Sequence, residues 1–165
     1  MRPIAALPDA TRMAIRGVLT DIDDTLSTHG RITAVAYTAM ERLRDAGLLV
    51  IPVTGRSAGW CDHIARMWPV DAVVGENGAL YMFRDPRSGV LKKRYADSDP
   101  DRRVARERVG GIAAAILRAV PGCALASDQA YRDSDLAIDY CEDVAPLPPA
   151  TVDRIAKNVE YATEG

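Results

Sequence analysis

Six consecutive apolar residues, Leu48-Leu49-Val50-Ile51-Pro52-Val53, stand between two stretches of helical periodicity, and nothing else in the chain limits the fold as tightly. Such a run is too short for a buried helix and suits a strand covered on both faces. On its N-terminal side Thr33 to Ala46 reads as a helix, with Ala36, Met40 and Leu43 on one stripe and Gly47 where helices commonly stop. On its C-terminal side Ser57 to Trp68 reads as a second helix, ended by Pro69. Shorter apolar runs flank the whole, Ala14 to Thr20 before it and Ala72 to Gly75 after it. The order is β-α-β-α-β, the pattern of parallel strands joined by crossover helices, which predicts an α/β fold.

From Ala79 the pattern changes. Leu80 to Phe83 and Val90 to Tyr95 flank the turn-rich Asp85-Pro86-Arg87-Ser88-Gly89 and predict a hairpin. A helix is expected from Pro100 towards Val120 with Ser98 or Asp99 as cap, although Gly110 and Gly111 each weaken it by about 1 kcal/mol. Ala124 to Ala130 and Leu136 to Tyr140 read as strands, and Thr151 to Tyr161 as a final helix after the Pro146–Pro149 stretch. The expected organisation is a parallel-sheet core over residues 1–81 and an inserted α+β cap over 82–165, both incomplete. A length of 165 residues suits one domain with a modest insertion.

Charge and cysteine content narrow the function classes. A net charge of -2 and a pI near 5.7 give no electrostatic reason to expect nucleic acid or an anionic membrane as partner. Hydrophobic content of 48% places the chain among globular proteins and outside the disordered class. Cys61, Cys123 and Cys141 match neither a metal knuckle nor a disulfide framework and fit reduced thiols in a cytoplasm. The N-terminal stretch, broken by Pro3, Pro8, Asp9 and Arg12, has no apolar core for a signal peptide or a membrane span.

The first predicted strand ends in Thr20-Asp21-Ile22-Asp23-Asp24-Thr25-Leu26. Three carboxylates within four residues repel one another, a cost that a bound cation removes. Magnesium accepts one or two carboxylates, retains waters and takes phosphate oxygens, so this cluster offers part of such a shell. The C-terminal ends of strands are also where open α/β sheets bind ligands. A plain acidic turn would explain one or two of these residues, with side chains bonding their own backbone.

A second strand end, Val53-Thr54-Gly55-Arg56-Ser57, has a different polarity. Thr54 supplies a hydroxyl, Gly55 lets backbone approach a ligand, and the free N–H groups of the following helix favour an anion, together a phosphate cradle. A loop with a glycine turn and Ser57 as cap explains the tripeptide equally well when it is taken alone. Adjacent parallel strands would set the acidic cluster and the cradle side by side.

Together these residues resemble the haloacid dehalogenase superfamily, with its Asp-x-Asp-x-Thr first motif and a Ser or Thr closing a later strand. The run Gly75-Glu76-Asn77-Gly78-Ala79 is similar to the branch with an α+β cap, which includes Cof-type, sucrose-phosphate, trehalose-phosphate and mannosyl-3-phosphoglycerate phosphatases. The resemblance covers about Val18 to Ala79 and is loose beyond. It implies a Rossmann-like core and a magnesium-dependent phosphatase acting on a small phosphorylated metabolite, a sugar phosphate by likeness to the branch. In that scheme Asp21 attacks phosphorus and becomes an aspartyl-phosphate, and Asp23 handles the proton. Asp21 and Asp23, the latter through its carbonyl, meet the magnesium. Thr54 and Gly55 bind the phosphoryl group. Arg56 and Asn77 face the substrate, or are a surface cation and a turn residue. Asp24 carries no assigned role. His29 and His63 lack the spacing of metal ligands, while Cys61 and Trp60 read as packing.

The sequence departs from the family in one respect. A lysine in the family's context and a later Gly-Asp pair, which complete charge balance and metal shell, are not found after the cap. Little or no turnover is therefore expected from these 165 residues alone. A fragment, completion by another segment or an oligomeric partner, and a phosphate-binding module without turnover all fit this departure. Phosphomutase-type transfer is a further alternative.

Overall fold

The computed structural model describes residues 3–163, with side chains as far as Lys157. Met1 and Arg2, part of the N-terminal stretch read above, lie outside the described residues. The chain divides into two compact units, Met1–Arg56 with Trp60–Arg94, and Ser57–Gly59 with Tyr95–Gly165. The division falls after the hairpin, where the sequence reading sets its boundary before Met82.

The first unit opens on α1 (Asp9–Ala14), followed by β1 (Gly17–Asp21). The first strand thus starts three residues later than its apolar pattern predicts, because Asp9 and Arg12 pair across a first helical turn that takes up Ala14. β2 (Ser27–Thr28) and β3 (Arg31–Ile32) form a small antiparallel pair. α2 (Ala34–Asp45) begins at Thr33, whose hydroxyl accepts the Ala36 N–H at 3.2 Å, and gives way to Gly47 at φ 78°. β4 (Leu49–Val53), α3 (Ala58–Met67) and β5 (Ala72–Gly75) follow as predicted. β6 (Leu80–Arg84) and β7 (Leu91–Tyr95) form the expected hairpin, with Asp85 accepting the Arg87 and Ser88 N–H groups in its turn.

One five-stranded sheet joins these strands in the order β1-β4-β5-β6-β7. β1, β4 and β5 are parallel, and β6 runs antiparallel to β5. Register assigns the side chains to faces: Val50, Pro52, Val73, Leu80 and Met82 share one face and are all buried. Cys61 of α3, fully buried, lies against Gly75 on that same face. The Tyr37 hydroxyl of α2 donates to the Met67 carbonyl of α3 at 3.0 Å, tying the two helices together.

The opposite face carries Leu19, Leu49, Ile51, Val53, Val74, Tyr81 and Phe83, and none of them is buried. Leu19 is 70% exposed, Leu49 50% and Tyr81 44%. The expectation that Leu48 to Val53 is covered on both faces is thus corrected: the two crossover helices of this chain serve one side of the sheet. Apolarity reports what a strand can bury, and the supply of helices decides what it does bury.

The second unit holds α4 (Asp99–Ala119), β8 (Ala124–Leu125), β9 (Ile138–Asp139) and α5 (Pro149–Thr163). Ser98 caps α4 by accepting the Asp101 N–H, and the helix runs through Gly110 and Gly111 without a break. Its C-terminal half supplies Ile116, the residue that caps it is Val120, and both pack with Ile155 of α5 and with Leu136, Ile138 and Leu147. That burial offsets the roughly 1 kcal/mol lost at each glycine. β8 and β9 are an antiparallel pair of two residues each, far shorter than predicted. Among the described residues no helix is long and apolar enough to cross a membrane.

Candidate active site

Register decides what can meet at the sheet edge. Asp21, the last residue of β1, pairs with Val53, and Val53 pairs with Val74. The three parallel strands therefore end level with one another, and the segments that follow them share one edge. Asp21 closes β1 and Asp23 follows it, Thr54, Gly55 and Arg56 follow β4, and Asn77 follows β5. All six residues singled out in the sequence lie at this edge.

After β1 the backbone cannot continue as strand. Asp23 is extended, with φ -73° and ψ 126°, and Asp24 is left-handed at φ 54°. Such a conformation costs an aspartate about 1 kcal/mol, less than it costs most residues. The Asp24 N–H is satisfied by the Ser27 hydroxyl at 3.3 Å. Asp21 is exposed at the end of its strand, and the Asp23 side chain is 46% exposed.

After β4 the arrangement is tighter. Thr54 is 2% exposed, with its N–H on the Val74 carbonyl at 2.9 Å. Its hydroxyl accepts the Arg56 N–H at 3.1 Å, which leaves that hydroxyl's own hydrogen to donate to an anion. Gly55 has a second reason to be glycine: a Cβ there would stand 3.0 Å from the Asn77 carboxamide oxygen. The Asn77 N–H reaches back to the Thr54 carbonyl at 3.2 Å.

After β5 three consecutive residues, Glu76, Asn77 and Gly78, take positive φ of 47°, 55° and 101°. Glu76 is 2% exposed, a buried carboxylate in a left-handed conformation. Sequence reasoning missed it because a single glutamate in a turn carries no mark of burial. Gly75 is fixed by Cys61, whose sulfur would lie 2.4 Å from an added Cβ.

Arg56 crosses between two strand ends. Its Nη2 donates to Asp23 Oδ1 at 2.5 Å, and its Nε lies 3.2 Å from both carboxylate oxygens. Its guanidinium carbon stands 5.1 Å from the centre of the Trp60 ring. Trp60, read above as core filling, is 46% exposed.

Asp21 and the Asp23 carbonyl are hard oxygen donors of the kind magnesium accepts. Among the described residues no group of three acidic, histidine or cysteine side chains is placed to hold a metal ion. The donor set of this chain therefore suits part of a magnesium shell, with waters and phosphate oxygens for the remainder.

No curated protein matches the sequence. Among solved structures the chain is similar to a Thermoplasma acidophilum protein, 0175, at 18% identity and a TM-score of 0.60, covering 89% of this chain and 57% of that one. It is also similar to a phosphatase of the haloalkanoate enzyme superfamily from Bacteroides thetaiotaomicron, at 24% identity and a TM-score of 0.45, covering 96% and 51%. The chain thus spans little more than half the length of either. The family model of haloacid dehalogenase-like hydrolases matches residues 18–104, more than half of the sequence and inclusive of the ends of β1, β4 and β5. This chain belongs to the haloacid dehalogenase-like hydrolases.

Proposed function

We propose that the chain carries the nucleophile side of a magnesium-dependent phosphomonoester hydrolase of the capped Cof-type branch, with a sugar phosphate or a similar small cytoplasmic metabolite as substrate. The observation that supports this reading best is the level ending of β1, β4 and β5, which gathers Asp21, Asp23, Thr54 and Asn77 at one edge. An Asp21 carboxylate oxygen would form a bond to phosphorus while the bond to the leaving oxygen breaks and Asp23 donates that oxygen its proton. Water would then attack the aspartyl-phosphate, with Asp23 taking the water proton, releasing phosphate and restoring Asp21. Thr54 would donate its hydroxyl to a phosphoryl oxygen, aided by the backbone N–H groups that open α3. Held by Asp21 and the Asp23 carbonyl, magnesium would supply positive charge against the carboxylates and the phosphate.

Turnover by these 165 residues alone is expected to be slow or absent, and a further polypeptide segment would complete the site. The test is release of inorganic phosphate from a panel of phosphomonoesters, with and without magnesium, by the wild-type chain and by Asp21→Asn. Release that needs magnesium and vanishes in the variant supports the reading. Undiminished release in Asp21→Asn removes Asp21 from its role. Calorimetric binding of phosphate esters that needs no magnesium and is unchanged in Asp21→Asn, without release, makes the chain a phosphate-binding module instead.

A further inference from the structure

Arg56 occupies an unusual position among the residues at the edge, because both its backbone and its side chain are committed. Its N–H donates to the Thr54 hydroxyl, and its carbonyl accepts the Glu76 N–H at 3.1 Å, so the backbone is pinned between the ends of β4 and β5. The side chain then reaches back across 33 residues of sequence to Asp23. It does so edge-on, offering Nε and Nη2 together to the carboxylate, while the guanidinium lies within cation–π range of the Trp60 ring.

Asp23 is the partner that needs such help. Its segment is neither helix nor strand, with extended Asp23 followed by left-handed Asp24. The bond from the Asp24 N–H to Ser27 fixes the turn's backbone and leaves the Asp23 carboxylate to be oriented by something else. A group that must give and take a proton works only when its oxygen is held within a fraction of an ångström of its target. A planar fork within cation–π range of the indole supplies that constraint, and a lysine ammonium, being a point charge on a flexible stem, does not.

We propose that Arg56 is a positioning residue, a clamp between Trp60 and Asp23 that holds the Asp23 carboxylate in one orientation, and is not a ligand of the substrate phosphoryl group. The catalytic consequence rests on the hydrolase reading above; the clamp itself rests on geometry alone. It revises the sequence-level assignment of Arg56 to substrate binding and gives Trp60 a place at the site.

The chain has two tryptophans, so Trp68→Phe leaves Trp60 as the sole indole and its emission as a reporter of the guanidinium. In that background Asp23→Asn and Arg56→Lys should each shift the emission maximum, and the double variant should shift it no further than the larger single change. Independent, additive shifts, or no shift in Asp23→Asn, would overturn the clamp. Where phosphate release is measurable, Arg56→Lys should lower kcat about tenfold or more with KM within about twofold, since misplacement by an ångström costs up to about a hundredfold. A raised KM with unchanged kcat would make Arg56 a substrate ligand and overturn the proposal. Coupled emission shifts in a chain whose phosphate release is undiminished in Asp21→Asn would defeat the hydrolase reading and leave the clamp standing.

Discussion

Two groups of aspartates, one in each unit, sit in different surroundings. In the second unit the acids are satisfied locally: Arg132, its side chain only 10% exposed, is held between Asp128 and Asp135, and Asp139 accepts the N–H groups of Cys141, Glu142 and Asp143. In the first unit Asp21 and Asp23 sit at the exposed end of a strand, next to left-handed backbone. Carboxylates that hold a loop together have their lone pairs filled by the protein. On the reading proposed above Asp21 would do chemistry, and its carboxylate is kept accessible at the strand end.

That contrast can be broken experimentally, and Asp21 is the most severe place to try. Asp21→Asn should abolish whatever phosphate release the chain supports, a fall of about 10⁴-fold or to background, with a melting temperature within a degree or two of wild type. A large loss of stability would place Asp21 with the structural acids of the second unit. Gly75→Ala asks how firmly the sheet supports the edge. Its added carbon collides with the buried Cys61 sulfur, so a loss of about 2–3 kcal/mol is expected in urea unfolding, and Cys61→Ala should relieve part of it.

Arg132→Ala should cost the second unit about 2 kcal/mol, because it strands Asp128 and Asp135 in a partly buried setting. Phosphate binding measured by calorimetry should be untouched. The smallest effect concerns pH. Backbone N–H groups, chiefly of Glu142 and Cys141, hold the Asp139 carboxyl below the usual carboxylate range. A depressed folded-state value means that stability is present above the unfolded value of about 3.9 and is lost as pH falls from there through the lower folded value. Wild type should therefore lose stability more steeply than Asp139→Asn between about pH 5 and pH 3, read by denaturant midpoints. Parallel slopes for the two proteins would show that the loop does not hold the ionised form.

The strand ends that hold the candidate site were more legible in the sequence than the packing around them. Thr33 and Gly47 bracket α2 because capping is local chemistry, and Ala72 to Gly75 is a strand to the residue. The strand-end logic that placed Asp21 beside Thr54 is also local, since it needs only two apolar runs and the polar residues that close them. What was illegible is non-local. The second of the predicted late strands is cut short where Gln129 bonds the Asp135 carbonyl and the Ala137 N–H across the turn, diverting chain from the ladder. Arg56 and Asp23 are 33 positions apart, so no periodicity links them. The burial of Glu76 and the exposure of Leu49 are set by elements far along the chain.

The uncovered side of the sheet has a consequence for how solutions of this chain behave. Apolar surface on Leu19, Leu49 and Tyr81 is attractive to any like surface, and β1, an edge strand, adds a row of unpaired peptide groups beside it. Because hydrophobic attraction strengthens on warming from the cold, light scattering should rise with temperature and protein concentration before the melting transition begins. The practical ceiling on handling this chain is then colloidal, reached while every helix and strand is still intact.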